Sequence, residues 1–189
     1  MEKRIILGID PGTNILGHAT IIVSGREISM GDMDVLKLQH LDDAFEKLSV
    51  IYRYIDELIR RHEVTEMAIE APFYGKNVQS MLKLGRAQGV SIAAALANGL
   101  SVCEYSPRKI KQSITGKGNS TKEQVALMLE RLVPFTSVPK YLDATDALGV
   151  AVCHYFQNTR PETRPAGRAK TKTVSSWKSF LSQNPDRIK

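Results

Sequence analysis

The chain has 189 residues, 42% hydrophobic and 24% charged, the size and composition of one globular domain with a sizeable core. No apolar run approaches the roughly 20 residues needed to cross a bilayer, and MEKRIILGID lacks a secretory h-region, which excludes a membrane span and predicts a cytoplasmic protein. The net charge of +6 is uneven: residues 158–189 carry eight basic and two acidic residues, Glu27 to Glu70 five basic and eleven acidic, and Lys76 to Lys122 eight basic with Glu104 as the single acid.

Arg4 to Asp10 has the pattern of a buried strand, Leu16 to Val23 that of a second, and Ser24-Gly25 turns into a third near Glu27 to Val35, an antiparallel meander. Apolar residues then recur at three and four from Leu41 through Phe45, Leu48, Ile51, Ile55, Leu58 and Ile59, which predicts an amphipathic helix to His62 with Phe45 on its apolar face. Glu66 to Glu70 is a fourth strand, Asn77 to Ala97 a helix stopped at Asn98-Gly99, and Ser101 to Tyr105 a fifth strand. A short helix follows over Pro107 to Thr115. Ser120-Thr121-Lys122-Glu123 fits a capping box for a helix ending before Pro134, and Tyr141 to Phe156 forms the last helix. This order predicts an α/β fold: a mixed five-stranded sheet, three antiparallel strands then parallel additions, with helices on both faces. Residues 1–157 form the domain. Residues 158–189 read as a basic, flexible tail without apolar periodicity, whose cluster Trp177, Phe180 and Leu181 is either a short docking helix or residual hydrophobicity. Cys103 and Cys153 stand far apart with no CxxC spacing, so neither a disulfide framework nor a structural zinc site is expected.

Carboxylates break the pattern. Asp10 ends an apolar strand before Pro-Gly-Thr, Glu70 closes MAIE before Ala71-Pro72, and Asp143 and Asp146 lie three apart on one helix face. Each alone fits a turn or a cap. If strands one and four are neighbours and the last helix crosses them, the four converge with no obligatory basic partner. A like-charged pair at 4 Å costs roughly 4 kcal/mol at an effective dielectric near 20, so protonation or bound cations must relieve the cluster. All-oxygen ligation favours magnesium, with manganese as substitute, over zinc. Two such ions per site suit in-line displacement at a phosphodiester. The basic stretch would bring a polyanion to them, with Lys111 and Lys122 nearest the scissile phosphate and Lys76, Lys83, Arg86, Arg108, Lys109 and Lys117 as further DNA contacts. Phe73, three residues past Glu70, either stacks on bases from an exposed loop or packs on the next helix. Gly85, Gly89, Ala93 and Ala97 form a small-residue row, for packing on the sheet or for a dimer contact.

Four segments in order, ILGIDPGTNILGHA, AIEAPFYGKNVQSMLKLGRAQG, RKIKQSITGKGNSTKEQV and DATDALGVA, resemble the RuvC-type Holliday-junction resolvases over residues 4 to 157. The resemblance implies a ribonuclease-H-like fold, a homodimer, and magnesium-dependent paired nicks in a four-way DNA junction during recombination and repair. It also implies a branch-migration motor as partner. Asp10, Glu70, Asp143 and Asp146 match the family's metal-site acids, Lys111 and Lys122 its active-site basic positions, and Phe73 the aromatic at the junction centre, a role Tyr74 could share. Three other readings compete. The Asp10-Pro11-Gly12-Thr13 turn also suits a sugar kinase or actin-like ATPase, but no second phosphate loop is visible and Gly116-Lys117-Gly118 lacks Walker A spacing. A related RNA nuclease and a non-enzymatic DNA-binding module are the others.

Overall fold

The structure, a computed structural model, describes residues 4–72, 77–134 and 141–159. Ten elements follow in chain order: β1 (Arg4–Asp10), β2 (Ile15–Ser24), β3 (Glu27–Lys37), α1 (Ala44–His62), β4 (Glu66–Glu70), α2 (Val78–Ala97), β5 (Ser101–Tyr105), α3 (Pro107–Thr115), α4 (Lys122–Leu132) and α5 (Leu142–Thr159). The sheet order is β3-β2-β1-β4-β5. β1 pairs antiparallel with β2 and β2 with β3, whereas β4 runs parallel to both β1 and β5, the mixed topology expected from the element order.

Strand residues alternate between two faces, and the two cores follow that parity. Ile5, Leu7, Ile9, Met67 and Ile69 pack against Ile51, Ile55 and Leu58 of α1 and Ala87 and Ala94 of α2. Ile6, Ala19, Ile21 and Ala68 pack on the opposite face, against α5 and against Ile110, Ile114, Val125 and Leu129 of α3 and α4. Burying each such aliphatic side chain contributes about 1.5–3 kcal/mol. Asp10 continues the parity of Ile6 and Gly8, and Glu70 that of Glu66 and Ala68. Both acids therefore end their strands on the α5 side.

Two glycines set how close α5 comes. A Cβ built on Gly8 would stand 2.2 Å from the Ala147 carbonyl oxygen, and one on Gly17 2.0 Å from that of Asp143. Gly17 pairs with Asp10 in the β1–β2 ladder, so the first turn of α5 lies directly on the strand beside Asp10. At the other end of the sheet Glu66 receives Arg4 through Nε at 2.5 Å and Nη2 at 2.9 Å, and its Oε2 lies 2.9 Å from His154 Nε2. This partly buried network ties β1, β4 and α5 together.

Several boundaries differ from the sequence expectation. α1 starts at Ala44 rather than Leu41, because the Asp43 carboxylate accepts from Glu46 N at 2.7 Å and caps it. Phe45, expected in the core, is 74% exposed. The capping box of α4 uses Thr121 and Gln124, one residue later than expected, because the Ser120 hydroxyl is engaged with Thr115 Oγ1 at 2.7 Å and the Lys117 carbonyl at 3.1 Å. α5 continues to Thr159, three residues past the expected Phe156. The basic tail and its Trp177, Phe180 and Leu181 cluster lie outside the described residues.

Candidate active site

Asp10, Glu70, Asp143 and Asp146 come from three elements, and all four are partly buried. They lie in one another's field. Burial, then repulsion from Glu70, Asp146 and Asp143, pushes the Asp10 carboxyl up to about 8, against an opposing pull from Lys122. Burial and Asp146 push Glu70 up to about 7, with Lys122 and Lys111 opposing. These are the shifts expected of carboxylates gathered away from water.

A cleft of about 320 Å³ opens at this point, lined by Glu70 and Asp146 together with Lys111 of α3 and Lys122 of α4. Pro107, Ile110, Val125 and Gly149 complete its wall. Lys122 Nζ donates to Asp146 Oδ2 at 2.5 Å, and Asp146 with its neighbouring acids holds the ammonium above its usual range. The expectation that the acids meet without a basic partner is corrected: Asp146 has one. Lys122 sits on the first residue of α4, which the Thr121 cap aims at the start of α5.

Among the described residues no group of three or more His, Cys, Asp or Glu side chains is placed so that it could hold a metal ion without rearrangement. The donor set nonetheless fits a hard divalent cation: four carboxylates and no soft ligand, two of them, Asp10 and Glu70, raised by burial and by neighbouring carboxylates. Positive charge supplied there relieves both effects.

The other DNA-contact candidates distribute around this site. Lys83 and Arg86 are exposed on α2 and line a separate cleft with Thr13 and Asn14. Arg108 lays its side chain along Gly118, and Lys117 lines a shallow groove with Gln124 and Arg131. Lys109 is half-buried in the first turn of α3. None of these five lines the cleft at the carboxylates. Phe73, Tyr74 and Lys76 lie outside the described residues.

Three contributors escaped sequence reasoning. Gly8 and Gly17 carried a usable signal, a glycine inside a strand pattern, which marks close backbone approach. Gln88 of α2, 7% exposed, carried none: its Nε2 donates to the Glu70 carbonyl at 3.4 Å and to Glu104 Oε2 at 2.8 Å. The backbone carrying Glu70 is further held where Ala71 N donates to the Tyr105 carbonyl at 2.8 Å.

The family model described as crossover junction endodeoxyribonuclease RuvC matches residues 6–154. A protein of that name from Cytophaga hutchinsonii is 52% identical over 186 residues, covering 98% of this chain and 88% of the relative. One from Porphyromonas gingivalis is 48% identical over 190 residues, covering 100% and 98%. Among solved structures, Thermus thermophilus RuvC in complex with a Holliday junction substrate superposes with a TM-score of 0.77 at 29% identity, over 82% of this chain and 94% of that one. The yeast mitochondrial Holliday junction resolvase shares the fold, with a TM-score of 0.61 at 13% identity, over 82% and 81%.

Proposed function

Because this chain belongs to the RuvC family of crossover junction endodeoxyribonucleases, we propose that it resolves four-way DNA junctions by paired, metal-dependent phosphodiester hydrolysis in recombination and repair. Asp10, Glu70, Asp143 and Asp146 are the residues that would hold the metal, magnesium at two ions per site with manganese as substitute. Bound divalent cations supply Lewis-acid activation of the attacking water and neutralise charge at the departing oxygen. The observation that carries the reading is the raised carboxyls of Asp10 and Glu70 beside a cleft whose far wall is Lys111 and Lys122.

Lys111 and Lys122 give the cleft two cationic groups for a phosphate that the acids alone would repel. Lys122 moves between Asp146 and the incoming phosphate, since an exposed lysine pair is worth at most about 1 kcal/mol and breaks readily. Phe73 and Tyr74 engage bases at the junction centre, and Lys76, Arg108, Lys109 and Lys117 add phosphate contacts. The basic tail raises affinity through the same counterion release. Among the described residues no helix is long and apolar enough to cross a membrane; the proposed location is the cytoplasm.

The working unit is a homodimer formed through α2. Val78, Leu82 and Leu96 are 67%, 54% and 59% exposed on its outer face, and among the described residues nothing stands within 4 Å of a Cβ built on Gly85 or Gly89. The exposure of the small-residue row favours a contact with a second copy over packing on the sheet, on a face that Arg86 shares with Leu82 and Gly89. A two-fold dimer presents two sites to a junction of matching symmetry. The branch-migration motor follows from family membership, with no surface assigned.

The test is nick mapping on a synthetic four-way junction, a matched duplex and an RNA hairpin, with magnesium and with chelator. Paired nicks confined to the junction and to magnesium are expected. Glu70→Gln should lower the rate at least about 1,000-fold while keeping junction affinity within a few-fold. Normal cutting by this variant, or equal cutting of the duplex, contradicts the assignment.

A further inference from the structure

A second cleft, of about 300 Å³, lies between the N-terminal halves of α1 and α2 and the turn after β1; Thr13, Asn14, Phe45, Lys47, Lys83 and Arg86 line it. The proposed chemistry leaves it unused, yet both its walls connect to the strands that carry Asp10 and Glu70. Thr13 is three residues beyond Asp10, so at most about 11 Å separates their Cα atoms. Ala87, also in its lining, precedes Gln88, whose amide holds the Glu70 carbonyl. The cleft therefore lies on the α1–α2 side of the sheet, a few residues along the chain from the strand ends that carry Asp10 and Glu70.

Its chemistry suits one nucleotide. Among the described residues neither Lys83 nor Arg86 forms an ion pair, and with Lys47 they outnumber the single lining acid, Asp42. Lys47 Nζ donates to the Thr13 carbonyl at 3.2 Å and to Asn14 Oδ1 at 3.3 Å, fixing the rim next to Asp10. Phe45 breaks the apolar pattern of α1 by standing in solvent, 74% exposed, at a basic rim. An exposed aromatic beside unpaired cations is the arrangement that stacks an unpaired base and holds its phosphate. The volume sits at the lower end of ligand sites, enough for one nucleotide and too small for a duplex.

We infer that this cleft receives a nucleotide flanking the scissile phosphate, its base splayed from the junction onto Phe45 and its phosphate held by Lys83 and Arg86. The inference rests on the junction-nuclease reading. A branch point supplies such a base at low cost, because bases there lack full stacking.

The experiment measures binding of the full chain, in chelator, to junctions carrying one abasic residue at successive positions on either side of the mapped nick. One position should weaken the parent about 5- to 100-fold. Phe45→Ala should weaken the intact junction by a similar factor, with no further loss when that base is also absent, and Phe45→Trp should retain affinity. Lys83→Ala should reduce the salt slope of log K by about 1. Additive losses at every position overturn the inference, as does a shift of Phe45→Ala from dimer to monomer in sedimentation, which would make Phe45 a subunit contact. A parent that nicks junctions but shows no coupling loses the cleft alone; a parent that fails to prefer junction over duplex loses the nuclease reading and this inference with it.

Discussion

Asp10 shows how a single side chain carries both the difficulty and the use of this site. In the folded chain its carboxyl keeps the proton to about 8, whereas in the unfolded chain it ionises near 4. Between those values the folded state binds more protons, so the stability this group contributes falls as pH rises and levels off above the folded value. In chelator, Asp10→Asn should therefore melt progressively higher than the parent from about pH 4 to pH 8, and saturating magnesium should reverse the order. A melting difference independent of pH would show that Asp10 ionises freely, away from its partners. The four acids were legible in the sequence because each sat where a core residue or a simple cap was due. The Lys122–Asp146 pair was not, since 24 residues separate the partners and only the packing of α4 beside α5 joins them. Phe45 misled for a related reason: helical spacing places a residue on a stripe but does not say how wide the covered stripe is.

Among the elements, α5 decides whether the acids meet. Its two aspartates are useful only if its first turn lies on β1 and β2, and Gly8 and Gly17 are what permit that contact. The clash at Gly17 would be with backbone, which no rotamer change relieves. Gly17→Ala should cost about 3 kcal/mol, the upper end of overpacking, and, where the variant still folds, lower metal-dependent nicking more than junction binding. Unchanged stability and nicking would mean that α5 need not lie so close. Strand and helix order and sheet type could be argued from alternation and turn residues, because those are local signals, whereas the neighbouring of β1 and β4, some 60 residues apart, entered only as a condition. Cap positions shifted by a residue or two where adjacent residues competed, as Ser120 did with Thr121. The Gln88 contact and the Glu66–His154 network join residues distant in sequence, so no local pattern announces them.

For the whole molecule, the proposed metal site lies on the α5 face of the sheet and the proposed dimer surface on the outer side of α2. Gly85→Leu should leave the monomer's helix content intact, since its Cβ meets nothing within 4 Å among the described residues, while weakening self-association at least about tenfold by sedimentation. A variant that stays dimeric at the same concentration would place the interface elsewhere. The central claim is that Asp10, Glu70, Asp143 and Asp146 together hold the catalytic cation. The most direct measurement is anomalous diffraction at the manganese edge from crystals soaked in manganese: the account predicts peaks coordinated by these four carboxylates, with Lys122 Nζ displaced from Asp146. Peaks elsewhere, or none at these residues under conditions where manganese supports junction nicking in solution, would contradict it.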